Sequence, residues 1–272
     1  MADADAKSID ETVLTRDATL LRDTVREAGA LARSMFRTEL KKWIKGASSP
    51  VSEADIAVND LLEARLRTAT PDYGWLSEES ADDAVRLSRR LTWVVDPIDG
   101  TRNYLNGHDE WCVSVALVED ASPVLAAVFA PTSDEFFFAA RGRGTTLNGR
   151  AVRAAGGSAL DFSRVAGPKP MVERLNSSGG DIRLHPRIGS LALRLCRVAD
   201  GALDAAFAGG NSHDWDLAAA DLIVQEADGR MSDLSGDPIL YNRREVTHGV
   251  LVAAGRDRHA SIVAHFRSRP LP

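Results

Sequence analysis

The stretch LTWVVDPIDGTRNY, residues 91–104, constrains the fold more than any other part of the chain. Leu91 to Val95 form a continuous apolar run of strand length, which reads as a buried strand. It meets Asp96, and Pro97 has no N–H to give to a ladder, so the strand is expected to stop there, at a sheet edge. Asp99 follows three positions later, close enough for both carboxylates to face one point. That arrangement costs Coulomb repulsion unless a cation lies between them. Gly100 and Thr101 add backbone N–H groups and a hydroxyl beside the same point, as the start of a short helix able to hold an anion. On this stretch alone, a type I turn is an equal alternative.

A chain of 272 residues accommodates one large α/β unit or two domains that share an interface. Its 44% hydrophobic and 26% charged residues are those of an ordinary globular protein, which excludes disordered and fibrous classes. No apolar run approaches the ~20 residues of a membrane span, and the N-terminus has no basic-then-apolar leader. A cytoplasmic protein without a membrane partner is expected. Cys112 and Cys196 stand far apart and outside any CxxC spacing, so two reduced thiols are expected. The net charge of −6 gives no general attraction to a nucleic acid polymer, so an acidic ligand would need a local attractor.

Residues 1–7 read as a loose tail, and Ser8 with Glu11 has capping-box spacing. Leu14, Ala18, Leu21, Val25, Ala28, Ala32 and Met35 then mark one stripe of a long helix. A second helix is expected from Ser52, with Asp55 at its third position, to about Thr68 before Pro71. Short strands follow at YGWLS, LTWVV, WCVSVALV, PVLAAVFA and EFFFAAR, the last three spaced as an antiparallel meander. Trp75, Trp93 and Trp111 fall in such strands and read as core. Glycines at 142, 144, 149, 156 and 157 suggest a boundary, giving an N-terminal α+β domain over 8–155 and a C-terminal α/β domain over 156–272. In the second half the spacing predicts strands at 163–166, 203–207, near Met231 and at 248–253. It predicts helices at 190–198, 215–227 and from Arg258. The fold class expected is a layered αβαβα sandwich, with an antiparallel N-terminal sheet and a mixed C-terminal one.

Two more acidic spots sit at the ends of apolar elements. In LSEES, Glu78 and Glu79 close a short strand; in HDWDLAAADLIVQEADGR, Asp216 lies in the first turn of an apolar helix. Each has an ordinary explanation when taken singly, a solvated loop charge and a helix-dipole partner respectively. Three together give the oxygen-donor pattern of magnesium rather than zinc, and paired hard cations are a device for phosphoryl hydrolysis.

DPIDGT, LSEES and WDLAAADLIVQEADG resemble, in order and spacing, the three signatures of the inositol monophosphatase superfamily of magnesium-dependent, lithium-sensitive phosphatases. KGASSPVSEAD resembles that family's lysine-to-aspartate segment. The resemblance implies Glu78, Asp96 and the Ile98 carbonyl as ligands of a first ion, and Asp96, Asp99 and Asp216 as ligands of a second, with two or three magnesium ions in all. It implies that Thr101 orients the attacking water, with Asp55 accepting from it and Glu78 in the catalytic set. Asp99, Gly100, Thr101, Asp216 and His213 would then meet the substrate, a small phosphorylated metabolite. A homodimer is expected.

The inositol-specific members carry an acid shortly before the WD, where this chain has Gly209 and Gly210. LSEES, VFAP and GDPILYN are more similar to the 3'(2'),5'-bisphosphate nucleotidase branch. Inositol 1-phosphate, fructose 1,6-bisphosphate and histidinol phosphate remain alternative substrates, and a non-catalytic interaction protein on the same fold is the alternative of another class. Lys169 and Arg194 are candidates to pair with a second phosphate; His213 and Asp214 are candidates for the distal part of a substrate.

Overall fold

The structure is a computed structural model and describes residues 11–45, 49–161, 163–176 and 181–269. The expected tail and Ser8 lie outside the described residues. In chain order the elements are α1 (Glu11–Met35), the ribbon β1 (Lys42–Lys45) and β2 (Ser49–Ser52), α2 (Glu53–Ala69) and β3 (Gly74–Ser77). A 3₁₀ turn over Ala84–Ser88 leads to β4 (Leu91–Asp99), α3 (Thr101–Leu105), β5 (Cys112–Glu119), β6 (Ser122–Ala130) and β7 (Glu135–Ala140). Next come β8 (Thr145–Leu147), β9 (Arg150–Ala151), β10 (Arg164–Ala166), α4 (Lys169–Asn176), β11 (Arg183–Leu184) and α5 (Leu191–Ala199). The chain closes with β12 (Ala205–Ala208), β13 (Ser212–His213), α6 (Asp214–Glu226), β14 (Gly229–Asp233), β15 (Thr247–His248), β16 (Leu251–Gly255) and α7 (Arg256–Ser268).

The period-2 alternation of the strands fixes the layers. In β4, Trp93 and Val95 pack with α1 and α2 residues such as Leu21, Val25 and Leu62, whereas Val94 packs on the opposite face with α5 and α6. In β12, Ala206 and Ala208 join that same middle core, while Ala205 and Phe207 face Met171, Ile262 and Phe266 of the outer helices α4 and α7. The order helix, sheet, helix, sheet, helix is therefore the expected αβαβα sandwich. Helix α6 lies in the middle layer, where Leu217 to Ala220 and Leu222 to Val224 are all buried around the single buried carboxylate Asp221 of that stretch. Each large side chain so buried contributes about 1.5–3 kcal/mol.

The first sheet runs β3-β4-β5-β6-β7-β8-β9 and is antiparallel except for the β3–β4 pair, which is parallel. The second runs β11-β10-β12-β16-β14 and is mixed. The three tryptophans are core, with Trp93 and Trp111 fully buried and Trp75 nearly so. Both cysteines are free and buried.

Several expectations need correcting. Strand β4 does not stop at Asp96 and is not an edge strand: it lies between β3 and β5, pairs Asp96 with Ser114, and pairs Asp99 with Cys112 after a register shift. The residues between drop out of the ladder, and a bulge is where a sheet tolerates proline. The strand expected over 248–253 is two, β15 and β16, with β15 paired to β13 instead of to the main sheet. The β1–β2 ribbon and α4 were not expected. KWIK is too short to show a period, and Pro168 and Pro170 disguise a helix start.

Candidate active site

The cleft at the carboxyl end of β4 has a volume of about 270 Å³, and its walls include Glu78, Asp96, Ile98, Asp99, Gly100, Thr101 and Asp216. Ligand atoms of Asp96, Asp99 and Asp216 lie within 4.8 Å of one another. Two full charges at that separation repel by about 3 kcal/mol at an effective dielectric constant of about 20. The fold nevertheless holds each carboxylate by one oxygen. Asp96 Oδ1 accepts from the Ile98 N–H at 3.0 Å. Asp99 Oδ2 accepts from the Ser190 hydroxyl and, at 2.6 Å, from the Ala192 N–H at the start of α5. Asp216 Oδ2 accepts from the His213 N–H at 2.6 Å. These bonds fall on a single oxygen of each carboxylate.

Burial and crowding push the protons back onto Glu78, Asp96 and Asp99. Glu78 is pushed up to about 8, by burial first and then by the charges of Glu79 and Asp216. Asp96 stands well above the usual carboxylate range, again through burial and then through Glu78 and Asp99. Asp99 rises to about 6 under burial and the charge of Asp216, against the pull of the Ser190 hydroxyl. An all-oxygen cluster of this kind fits hard cations, whose charge would relieve both the burial and the repulsion.

Beside the cluster, α2 begins with the expected capping box: the Ser52 N–H and hydroxyl reach Asp55 Oδ2 at 2.8 and 2.6 Å. That clamp leaves Asp55 Oδ1 to accept from the Thr101 hydroxyl at 3.1 Å, while the Ile98 carbonyl is a second acceptor at 3.0 Å. Burial raises the Asp55 carboxyl above its ordinary value. Gly100 has φ 95°, which strains any other residue, and a Cβ there would also crowd the Glu110 carbonyl oxygen at 3.1 Å and Ser190 at 3.3 Å. Lys45 donates to the Glu78 carbonyl and pairs with Glu79 at 3.1 Å, which joins the β1–β2 ribbon to the acidic loop.

The structure thus gathers Glu78, Asp96, Ile98, Asp99, Gly100, Thr101 and Asp216 at one cleft, with Asp55 directly behind Thr101. His213 is not among the residues lining that cleft; its ring stacks on Trp215 at 4.7 Å. Asp214 is fully buried and turned to the loop before β15. Lys169 is exposed and pairs with Glu173. Arg194 lies on α5, where its Nε has no hydrogen-bond partner among the described residues and Asp99 acts on its charge. Sequence reasoning missed Ser190, Arg102, Asn103, Arg187 and Gly189. Ser190 is legible as the N-cap of α5, but its hold on Asp99 spans 91 positions and leaves no local trace.

The Inositol monophosphatase family model matches residues 14–271. The chain belongs to this family. The protein is accordingly a metal-dependent phosphoric monoester hydrolase acting on small phosphorylated substrates. It is 40% identical to the Nus factor SuhB of Xylella fastidiosa, over 78% of this chain and 79% of that one. It is 34% identical to inositol monophosphatase 2 of Solanum lycopersicum, over 82% and 89%. It is 31% identical to the 3'(2'),5'-bisphosphate nucleotidase CysQ of Aggregatibacter actinomycetemcomitans, over 83% and 88%. The solved structure of the extragenic suppressor protein suhB from Bartonella henselae superposes with a TM-score of 0.81 at 27% identity, covering 93% of this chain and 98% of that one. Among the described residues no helix is long and apolar enough to cross a membrane.

Proposed function

We propose that this protein hydrolyses the phosphomonoester of a bisphosphorylated small metabolite, with adenosine 3',5'-bisphosphate as the leading substrate and magnesium as the metal. Asp96, Asp99, Asp216, Glu78 and the Ile98 carbonyl are the groups that would hold it. When bound, such ions supply a water of lowered pKa and charge to neutralise the phosphate and the leaving oxygen. Thr101 accepts a hydrogen bond from the attacking water while donating to Asp55, whose raised proton affinity suits an acceptor at the end of that relay. The Gly100 and Thr101 N–H groups meet the phosphate. Ser52 keeps Asp55 from turning away. No side chain forms a covalent intermediate. Lithium inhibition, a cytoplasmic location and a homodimer accompany this reading as proposals.

The observation that carries the substrate choice is the pair of arginines in the cleft. Arg102 and Arg187 line the same cleft, which favours a ligand with more than one phosphate. In addition, Gly209 and Gly210 supply no carboxylate for a polyol hydroxyl, and a Cβ at Gly210 would meet nothing within 4 Å. A site built to hydrogen-bond a hydroxyl discriminates far more strongly than one that merely tolerates it. Phosphate release at equal magnesium, compared among adenosine 3',5'-bisphosphate, inositol 1-phosphate, fructose 1,6-bisphosphate and histidinol phosphate, tests the choice. The bisphosphate nucleotide is expected to have the highest kcat/KM. A clear preference for inositol 1-phosphate would overturn the substrate and leave the roles of the acids standing.

A further inference from the structure

Asp216 approaches the other acids from a different element: they sit on or beside β4, and it sits on α6. Something must hold the first turn of α6 against the repulsion among them. A buried network does so. Asp214, fully buried, accepts from the Asn242 N–H at 2.7 Å through Oδ2, and His248 Nε2 lies 2.6 Å from its Oδ1. Its own N–H reaches the Val246 carbonyl at 2.9 Å. The loop before β15 therefore grips α6 two residues from Asp216.

Asn242 carries that grip across to the other ligands. Its Nδ2 donates to Thr92 Oγ1 at 3.1 Å, and Thr92 is a fully buried β4 residue four positions before Asp96. Its Oδ1 accepts from the buried Arg86 at 2.8 Å, which orients the amide so that the NH2 faces Thr92. Its backbone has φ 53°, a conformation asparagine tolerates better than most residues. Tyr241 ties the same loop to Ala121 and to Asp221, but Asp221 is seven positions into α6, two turns beyond the first.

We propose that Asn242 is a positioning residue for the metal centre: it ties the first turn of α6 to strand β4 and so sets the spacing between Asp216 and the Asp96–Asp99 pair. The inference rests on the reading of those carboxylates as magnesium ligands. Groups that orient metal ligands without touching the metal are typically worth about 10- to 100-fold in metal affinity.

The test is calorimetric titration of the full chain with magnesium, well below the melting temperature, with thermal melts run alongside. Asn242→Gly keeps the left-handed backbone and its N–H while deleting both side-chain bonds; magnesium binding is expected to weaken about tenfold. Thr92→Val cuts only the bond to β4 and should weaken binding in the same direction by a smaller factor. Thr92→Ser keeps the hydroxyl and should bind magnesium as the unaltered protein does, even if it melts lower. Unchanged affinity in Asn242→Gly and Thr92→Val, whatever their melting temperatures, would reduce the network to a stabilising one and overturn the inference. So would a Thr92→Ser variant as impaired as Thr92→Val. Absence of magnesium binding in the unaltered protein would instead overturn the metal reading beneath it.

Discussion

Asp214 and Asp216 stand two positions apart at the start of one helix and are built for opposite purposes. Both oxygens of Asp214 are occupied, by the Asn242 N–H and by His248. Asp221, further along, is likewise answered by Tyr241 and Gln225. Asp216, Asp96 and Asp99 each take the hydrogen bonds placed among the described residues on one oxygen and are crowded against their own kind. Burial alone therefore does not separate a structural carboxylate from a functional one; Asp96 and Asp214 are equally hidden. What separates them is whether the protein supplies the opposing partner or leaves it to a ligand.

The widest way to break that distinction is Asp96→Asn. Phosphatase activity in saturating magnesium is expected to fall at least about 10³-fold, because bound metal supplies several kcal/mol of transition-state stabilisation. The same variant should melt higher than the parent in magnesium-free buffer near neutral pH, since an amide is neutral there without having to take up a proton as the buried Asp96 carboxyl must. Near-normal turnover would sink the ligand assignment. Thr101→Ala comes next: turnover is expected to drop by about 10²-fold, at the lower end for a positioned proton-transfer partner, with magnesium affinity nearly unchanged. Kinetics beside calorimetry would show whether the two separate.

Asp214→Asn should move stability the other way from Asp96→Asn. An amide can accept from only one of its two donors, and the group left over costs about 1–3 kcal/mol, read as a lower melting temperature with or without magnesium. A further effect is on pH. In the folded, metal-free protein Glu78 and Asp99 keep protons to about 8 and about 6, against 4.5 and 3.8 for the free groups. Between about pH 4 and 8 the native state thus binds more protons than the unfolded chain. Stability is present at the acid end and lost as pH rises through those values. Melting temperature without metal should decline across that window, by roughly 2–4 °C per kcal/mol, and saturating magnesium should abolish the decline. A flat metal-free profile would mean that the acids are not crowded.

The carboxylates whose partners lie a few positions away were legible from spacing, Glu78 and Asp216 were assigned only through the family resemblance, and those answered across the chain were not legible, for a physical reason. The Ser52–Asp55 box is a contact over three positions, and DPIDGT places Asp96, Asp99 and Thr101 within six, so residue type and spacing carry the information. The continuous apolar run that opens β4 and the strongly apolar stretch of α6 likewise announce a strand and a buried helix. Asp214 meets Asn242 and His248 across 28 and 34 positions, and Asn242 meets Thr92 across 150. Those pairings exist only once the loop before β15 has been laid over α6, so the dipeptide HD read as a contact for the distal part of a substrate. The stop expected at Pro97 failed because a bulge relieved the missing N–H.

The division of the acids between β4 and α6 also sets a schedule. Asp216 leaves the ribosome 120 residues after Asp96. At about 5–20 residues per second, Asp96 and Asp99 wait roughly 6–24 s for their third neighbour. During synthesis the emerging chain therefore carries a half-built and less repulsive cluster, and the full crowding is met only once α6 emerges, after the whole first sheet has been made and with β14, β16 and α7 still to follow.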